Sequence, residues 1–174
     1  MSTRVVAGRI AVIAVVLGTI GCDRMTKHVA STTLAEASPQ TYLADTVWLG
    51  YVENTGGFMG LGANWSPGLR TAVFTGSTGL MLLALIVLGI RHRSDRWLVL
   101  GLSLFVAGGA SNWIDRLLRG SVVDFLTVGI GPVRTGVFNV ADVAIMAGAG
   151  IIVLYEIRRS AKPPSHRRTI DPVG

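Results

Sequence analysis

The chain has 174 residues, of which 50% are hydrophobic and only 15% charged, against roughly 25% charged in ordinary soluble domains; its mean hydropathy is +0.54. This composition argues against a soluble monomer, and the net charge of +6 does not point to nucleic acid, because basic residues in so apolar a chain ordinarily mark the cytoplasmic face of a bilayer protein. The single cysteine, Cys22, excludes an internal disulfide framework and a cysteine-based zinc site.

A hydrocarbon core of about 30 Å needs about 20 apolar residues in a helix, and four stretches reach that length. The first, residues 5–22, carries Arg9 near its start. Its basic start, apolar run and small residues ending in Gly21 and Cys22 also resemble a cleavable lipoprotein signal, although Thr19 stands where such signals usually have Leu, and an even number of spans favours its retention. In the long segment that follows, TYLADTVWLGYV at residues 41–52 mixes β-branched, aromatic and polar residues as short strands do. Residues 71–90 and 97–114 contain no charge and read as the second and third spans. Residues 122–137 again look strand-like, with turn points at Gly129, Gly131, Pro132 and Gly136, so the two segments predict a small sheet. Residues 137–155, with Asp142 near the beginning, make the fourth span. Together they predict an all-α membrane protein, a four-transmembrane-helix bundle with a small periplasmic β-sheet element. One membrane domain is expected over residues 1–157, and the polar, basic, proline-bearing residues 158–174 are expected to form a disordered cytoplasmic tail.

Charge sets the direction. Arg4, Arg9, Arg91, Arg93, Arg96, Arg158, Arg159, Lys162, Arg167 and Arg168 fall on one side with only Asp95, Glu156 and Asp171, a net of +7, while the other side has six basic and seven acidic residues, a net of −1. The positive side is the cytoplasmic one, which places both termini inside and residues 23–70 and 115–136 outside.

Ionisable residues in or beside spans are costly and are functional candidates. Asp23 and Lys27 follow the first span, Asp115 and Arg116 end the third, and Asp142 enters the fourth; Asn54, in VENTGGFMG, joins them. Asn112 precedes Asp115 by three, and Asn139 precedes Asp142 by three, a spacing that puts both members of each pair on one helix face. A hairpin between adjacent spans brings the two aspartates to one depth. Two close carboxylates in a poorly hydrated site share a proton, and such a pair hydrolyses peptides: one carboxylate takes a proton from water while the other donates to the carbonyl oxygen and the leaving amine. The competing reading is structural, with Asp115 paired to Arg116 or Arg119 and Asp142 capping a helix. His28, His92 and His166 form no HExxH pair, and Lys27 and Lys162 offer no convincing serine–lysine dyad.

DRMTK after the first span, ENTGGFMG, AGGASNWIDRLLRGSVVDF at the third span and VFNVADVAIMAG at the fourth together resemble bacterial lipoprotein signal peptidase (signal peptidase II). The four blocks occur in order over most of the chain. The resemblance implies a bacterial inner-membrane aspartyl endopeptidase that removes the signal peptide from diacylglyceryl-modified prolipoproteins, cleaving before the lipidated Cys near the outer leaflet. It implies Asp115 and Asp142 as the catalytic pair, with Asn54, Asn112, Arg116 and Asn139 lining the site and Asp23 and Lys27 supporting it. It also implies prolipoproteins and membrane lipids as partners, and no metal, organic cofactor or nucleic acid. Arg24 stands where many members have Gln, and Val143 where Ser is frequent. Ala107, Gly108, Gly109, Ala110 and Ser111 let neighbouring helices approach. The alternatives are a small proton- or cation-coupled transporter, which requires polar groups through the bilayer, and a noncatalytic scaffold, in which both aspartates would be replaceable by Asn.

Overall fold

The computed structural model describes residues 3–57, 61–62, 64–92 and 95–161; Arg93 and the expected tail from residue 162 lie outside them. The elements in chain order are α1 (Thr3–Thr33), β1 (Gln40–Tyr42), β2 (Val47–Asn54), α2 (Pro67–Arg70), a π-helical stretch (Thr71–Ser77), α3 (Thr78–Arg91), α4 (Arg96–Arg119), β3 (Val122–Ile130), β4 (Val133–Arg134) and α5 (Val140–Ser160). Four helices are long and apolar enough to cross a membrane: Val6–Thr33, Pro67–Arg91, Arg96–Arg119 and Val140–Ser160. The strand-like segments pair as expected into one antiparallel sheet of order β1-β2-β3-β4.

Boundaries of α1, α4 and α5 differ from expectation. α1 passes through Cys22 and continues to Thr33 instead of ending at residue 22. Residues 23–33 contain no Gly or Pro, and Asp23 and Lys27, one turn apart, form an i,i+4 ion pair at 2.7 Å. α4 runs to Arg119, where Gly120 adopts a left-handed φ of 73° and its amide donates to the Arg116 carbonyl at 3.0 Å. α5 starts at Val140 because Val137 and Phe138 stay extended; Phe138 exchanges backbone hydrogen bonds with Leu126 of β3. It then runs to Ser160, beyond the expected end of the span at residue 155 and into the segment expected as tail.

α4 is the hub of the bundle. Half of its most apolar stretch is buried, against 6% in α1 and in the Pro67–Arg91 helix, whose outward faces carry Ile10, Ile13, Leu17, Leu80, Leu83 and Ile90 as a lipid-facing surface does. Close packing of α4 on α5 depends on glycine: a Cβ at Gly108 would stand 2.4 Å from the Ala141 carbonyl oxygen, and one at Gly148 2.5 Å from that of Gly101. By chain direction, the C-terminal ends of α1 and α4, the start of α5 and the sheet gather at one end of the bundle. Arg91, Arg96, Arg158 and Arg159 lie at the other.

Candidate active site

Among the described residues, every buried charged side chain lies at the sheet end. Asp23, Lys27, Asn112, Asp115, Asp124 and Asn139 are all buried there, while Ser103, farther along α4, bonds only to its own helix, at the Val99 carbonyl. No polar path runs through the bundle among the described residues, which disfavours the transporter.

Two kinds of carboxylate occur at this end. Asp23 and Asp115 are held by cations. Lys27 Nζ, itself buried, contacts Asp23 Oδ2 at 2.7 Å and Asp115 Oδ2 at 2.8 Å, and the Arg24 guanidinium pairs with Asp115 Oδ1. Asp23 also receives the Ser111 hydroxyl at 2.7 Å and the backbone amide of Ala141 at 2.8 Å, so a carboxylate on α1 caps the first turn of α5. Charge-assisted contacts of this kind are shorter and stronger than hydrogen bonds between neutral groups.

Asp124 and Asp142 have no cation in contact among the described residues; neutral amides hold them instead. Asn139 is the N-cap of α5: its side chain accepts from the Asp142 amide at 3.0 Å, while Asp142 Oδ2 accepts from the Asn139 amide at 3.1 Å, completing a capping box. The Asn139 side-chain amide donates to Asp124 Oδ1 at 2.7 Å. Asn112 donates to Asp142 Oδ1 at 2.9 Å and accepts from Lys27 Nζ at 2.7 Å. Asn54 donates to Asp124 Oδ2 at 2.9 Å. The sheet explains that contact: Asn54 pairs with Val122, so Asp124, two residues on, is its diagonal neighbour on the same face. Burial pushes the Asp124 carboxyl above its ordinary 3.8, and the charge of Asp142 pushes it the same way.

Arg116 completes the cluster. Its Nη2 donates to the Gly56 carbonyl at 2.9 Å and its Nη1 to that of Asn112 at 3.4 Å, while Nε is buried with no partner among the described residues. Asn54 holds the same loop, accepting from Gly56 N at 3.0 Å and donating to the Gly57 carbonyl at 3.1 Å.

The structure thus gathers Asp23, Lys27, Asn54, Asn112, Asp115, Arg116, Asn139 and Asp142 at one place, with Gly108 beneath them at the α4–α5 crossing. It also alters two expected relations. Asn139 and Asp142 form a cap rather than a pair on one helix face, because the helix begins between them. Asp115 reaches Asp142 only through Lys27 and Asn112, whereas Asp124 shares Asn139 with Asp142. Asp124 was absent from the expected site. Its signal is an acidic residue in the otherwise apolar run VVDFL, costly in a buried strand unless hydrogen-bonded.

The family model described as Signal peptidase (SPase) II matches residues 14–158. The chain belongs to this family. The signal peptidase II assignment is supported by relatives: it is 34% identical over 160 residues to the lipoprotein signal peptidase of Desulforapulum autotrophicum, covering 90% of this chain and 96% of that one. It is 34% identical over 147 residues to that of Azoarcus sp. strain BH72, covering 83% and 81%, and 36% identical over 157 residues to that of Mycobacterium tuberculosis strain H37Rv, covering 83% and 69%. The fold resembles a bacterial membrane enzyme solved by the in meso method at 2.3 Å, with a TM-score of 0.77, 23% identity and 94% of each chain covered. A second such enzyme, solved at 1.9 Å, gives a TM-score of 0.73 at 24% identity, covering 85% of this chain and 93% of that one.

Proposed function

We propose that this multi-pass bacterial membrane protein is an aspartyl endopeptidase that removes signal peptides from diacylglyceryl-modified prolipoproteins, cleaving before the lipidated Cys, and that Asp124 and Asp142 are the reacting pair. The observation that carries the reading is their common clamp, Asn139, which binds Asp124 Oδ1 and accepts from the Asp142 amide, with no cation in contact with either acid among the described residues. Asp115 fits less well, because Lys27 and Arg24 occupy its two oxygens and leave neither open to a water or a substrate carbonyl.

In the reaction, one carboxylate takes a proton from water as the water oxygen attacks the scissile carbonyl carbon, and the other gives its proton to the carbonyl oxygen. Collapse of the resulting gem-diol breaks the C–N bond: the departing nitrogen receives a proton from the first acid, and a gem-diol hydroxyl returns its proton to the second carboxylate, which restores the starting pair. The elevated pKa of Asp124 suits it to carry the shared proton, and the half-buried Asp142 suits the side open to water. The buried, unpartnered Nε–H of Arg116 is a donor available to a substrate carbonyl or ester. The charge asymmetry along the chain supports cytoplasmic termini and a site near the outer leaflet of the inner membrane, the level at which a diacylglyceryl-anchored Cys resides.

The decisive experiment incubates wild type, Asp124→Asn, Asp142→Asn and Asp115→Asn with a diacylglyceryl prolipoprotein and follows the release of signal peptide. The first two variants lose at least about a hundredfold in rate, the scale of general acid–base catalysis, whereas Asp115→Asn keeps measurable cleavage in whatever fraction remains folded. Full cleavage by Asp124→Asn, with Asp115→Asn folded but inactive, would return the pair to Asp115 and Asp142.

A further inference from the structure

Beside the carboxylate site, between the site ends of α1 and α4, lies a cavity of about 240 Å³ walled by Arg24, Lys27, His28, Ser31, Asp115 and Arg119. Its charge does not cancel. Lys27 and Arg24 are committed to Asp23 and Asp115, but Arg119 and His28 have no acidic partner among the described residues. Glu53 of β2 pairs with Val123, which also lines the cavity, yet its oxygens are occupied by the Tyr51 hydroxyl at 2.7 Å and the Ser121 hydroxyl at 3.2 Å.

Depth decides what such a cavity meets. α1 has 31 residues, about 46 Å at about 1.5 Å per residue, so its last turns stand outside a hydrocarbon core of about 30 Å, at headgroup level. Met25 and Val29 of α1 and Leu117 and Leu118 of α4 are exposed around the cavity residues, which sets the basic groups directly beside an acyl-chain surface. Guanidinium groups match the geometry of phosphate oxygens.

We propose that this cavity binds the phosphate of an anionic phospholipid headgroup, with Arg119 and His28 as the receiving groups and Arg24 at the wall shared with Asp115. The site would give the enzyme a fixed neighbouring lipid in which none of the reacting groups takes part.

The test is lipid binding by the full-length protein, delipidated in detergent and titrated with phosphatidylglycerol, phosphatidylcholine or inorganic phosphate, with bound lipid read by native mass spectrometry. Phosphatidylglycerol should bind preferentially, Arg119→Gln should weaken it about fivefold, the effect of one basic side chain on anionic lipid, and His28→Gln/Arg119→Gln should weaken it further. Arg119→Lys should restore most of the binding. Displacement of the lipid by millimolar phosphate supports the anion site and makes free phosphate a competing source. Equal binding of the two phospholipids, or unchanged binding by the double variant, overturns the proposal. Prolipoprotein cleavage, measured in parallel, shows that the variants are folded and keeps this result separate from the assignment of the reacting pair.

Discussion

Replacing Gly108 by Ala tests whether the α4–α5 crossing sets the position of Asp142. The added methyl would sit 2.4 Å from the Ala141 carbonyl oxygen and 3.2 Å from its carbon. Ordinary contact begins near 3.4 Å, so α5 must retreat by about 1 Å at a backbone atom adjacent to Asp142. The carbonyl cannot rotate aside, because Ala141 lies in the first turn of the helix and its amide is tied to Asp23. A displacement of about 1 Å at reacting groups costs about a hundredfold in rate, while overpacking of this kind costs about 1–3 kcal/mol of stability. Gly101→Ala is the control. There a methyl would meet Ile152 Cγ1 at 2.9 Å and the Gly148 carbonyl oxygen at 3.0 Å, crowding the same two helices about two turns farther from the carboxylates than Gly108. Steady-state cleavage of a diacylglyceryl peptide, with thermal unfolding in the same detergent, should show both variants destabilised but only Gly108→Ala slowed about a hundredfold. Equal rates for the two variants would refute the positional argument, and equal losses would assign the effect to packing alone.

Other consequences follow from the two kinds of carboxylate. Lys27→Met should cost about 3–5 kcal/mol by stranding Asp23 and Asp115 in the interior, whereas Arg24→Gln, which removes a side chain 37% exposed, should cost less than about 1 kcal/mol; chemical denaturation in mixed micelles compares them. Because the folded pKa of Asp124 is raised, the folded state binds the extra proton and loses stability as pH rises from about 3.8 to the raised value. Asp124→Asn should therefore become more stable relative to wild type over that interval, and a constant difference would contradict it. Cleavage should fall at both pH extremes as the pair gains or loses its shared proton, and a single titration set by a histidine would count against the pair.

The spans were legible because bilayer thickness imposes a length that a run of uncharged residues reveals directly; residues 71–90 and 97–114 lie wholly inside the helices found. The helix ends were less so. The end of α1 depends on Asp23 and Lys27 satisfying each other within the protein, and the start of α5 on Phe138 pairing with Leu126, both tertiary facts that hydropathy does not contain. The paired Asn-x-x-Asp spacing drew attention to Asn112, Asp115, Asn139 and Asp142, and all four meet at the site. Spacing alone gave Asp115 and Asp142 the same standing, since nothing local distinguishes an aspartate destined for a lysine from one destined for an asparagine.

That distinction is set by the neighbours each fold element delivers. The extra turns of α1 bring Lys27 and Arg24 against Asp115, and with Asp23 they form a nearly neutral ion-paired cluster. Gly120 then turns the chain at a φ of 73°, so that β3 can bring Asp124 back toward the start of α5. There the surrounding donors are Asn54, Asn112 and Asn139, which bind carboxylate oxygens without contributing positive charge. An amide adds no opposite charge that would favour the ionised carboxyl, whereas a cation does, so replacing Asn139 by Lys should hold Asp124 ionised and extinguish turnover even in protein that remains folded. Asn139→Ser would keep a hydroxyl able to cap α5 but lose the reach to Asp124, separating the two roles of this one side chain. Retention of wild-type cleavage by the folded Lys variant would mean that the reaction does not use a proton shared between Asp124 and Asp142.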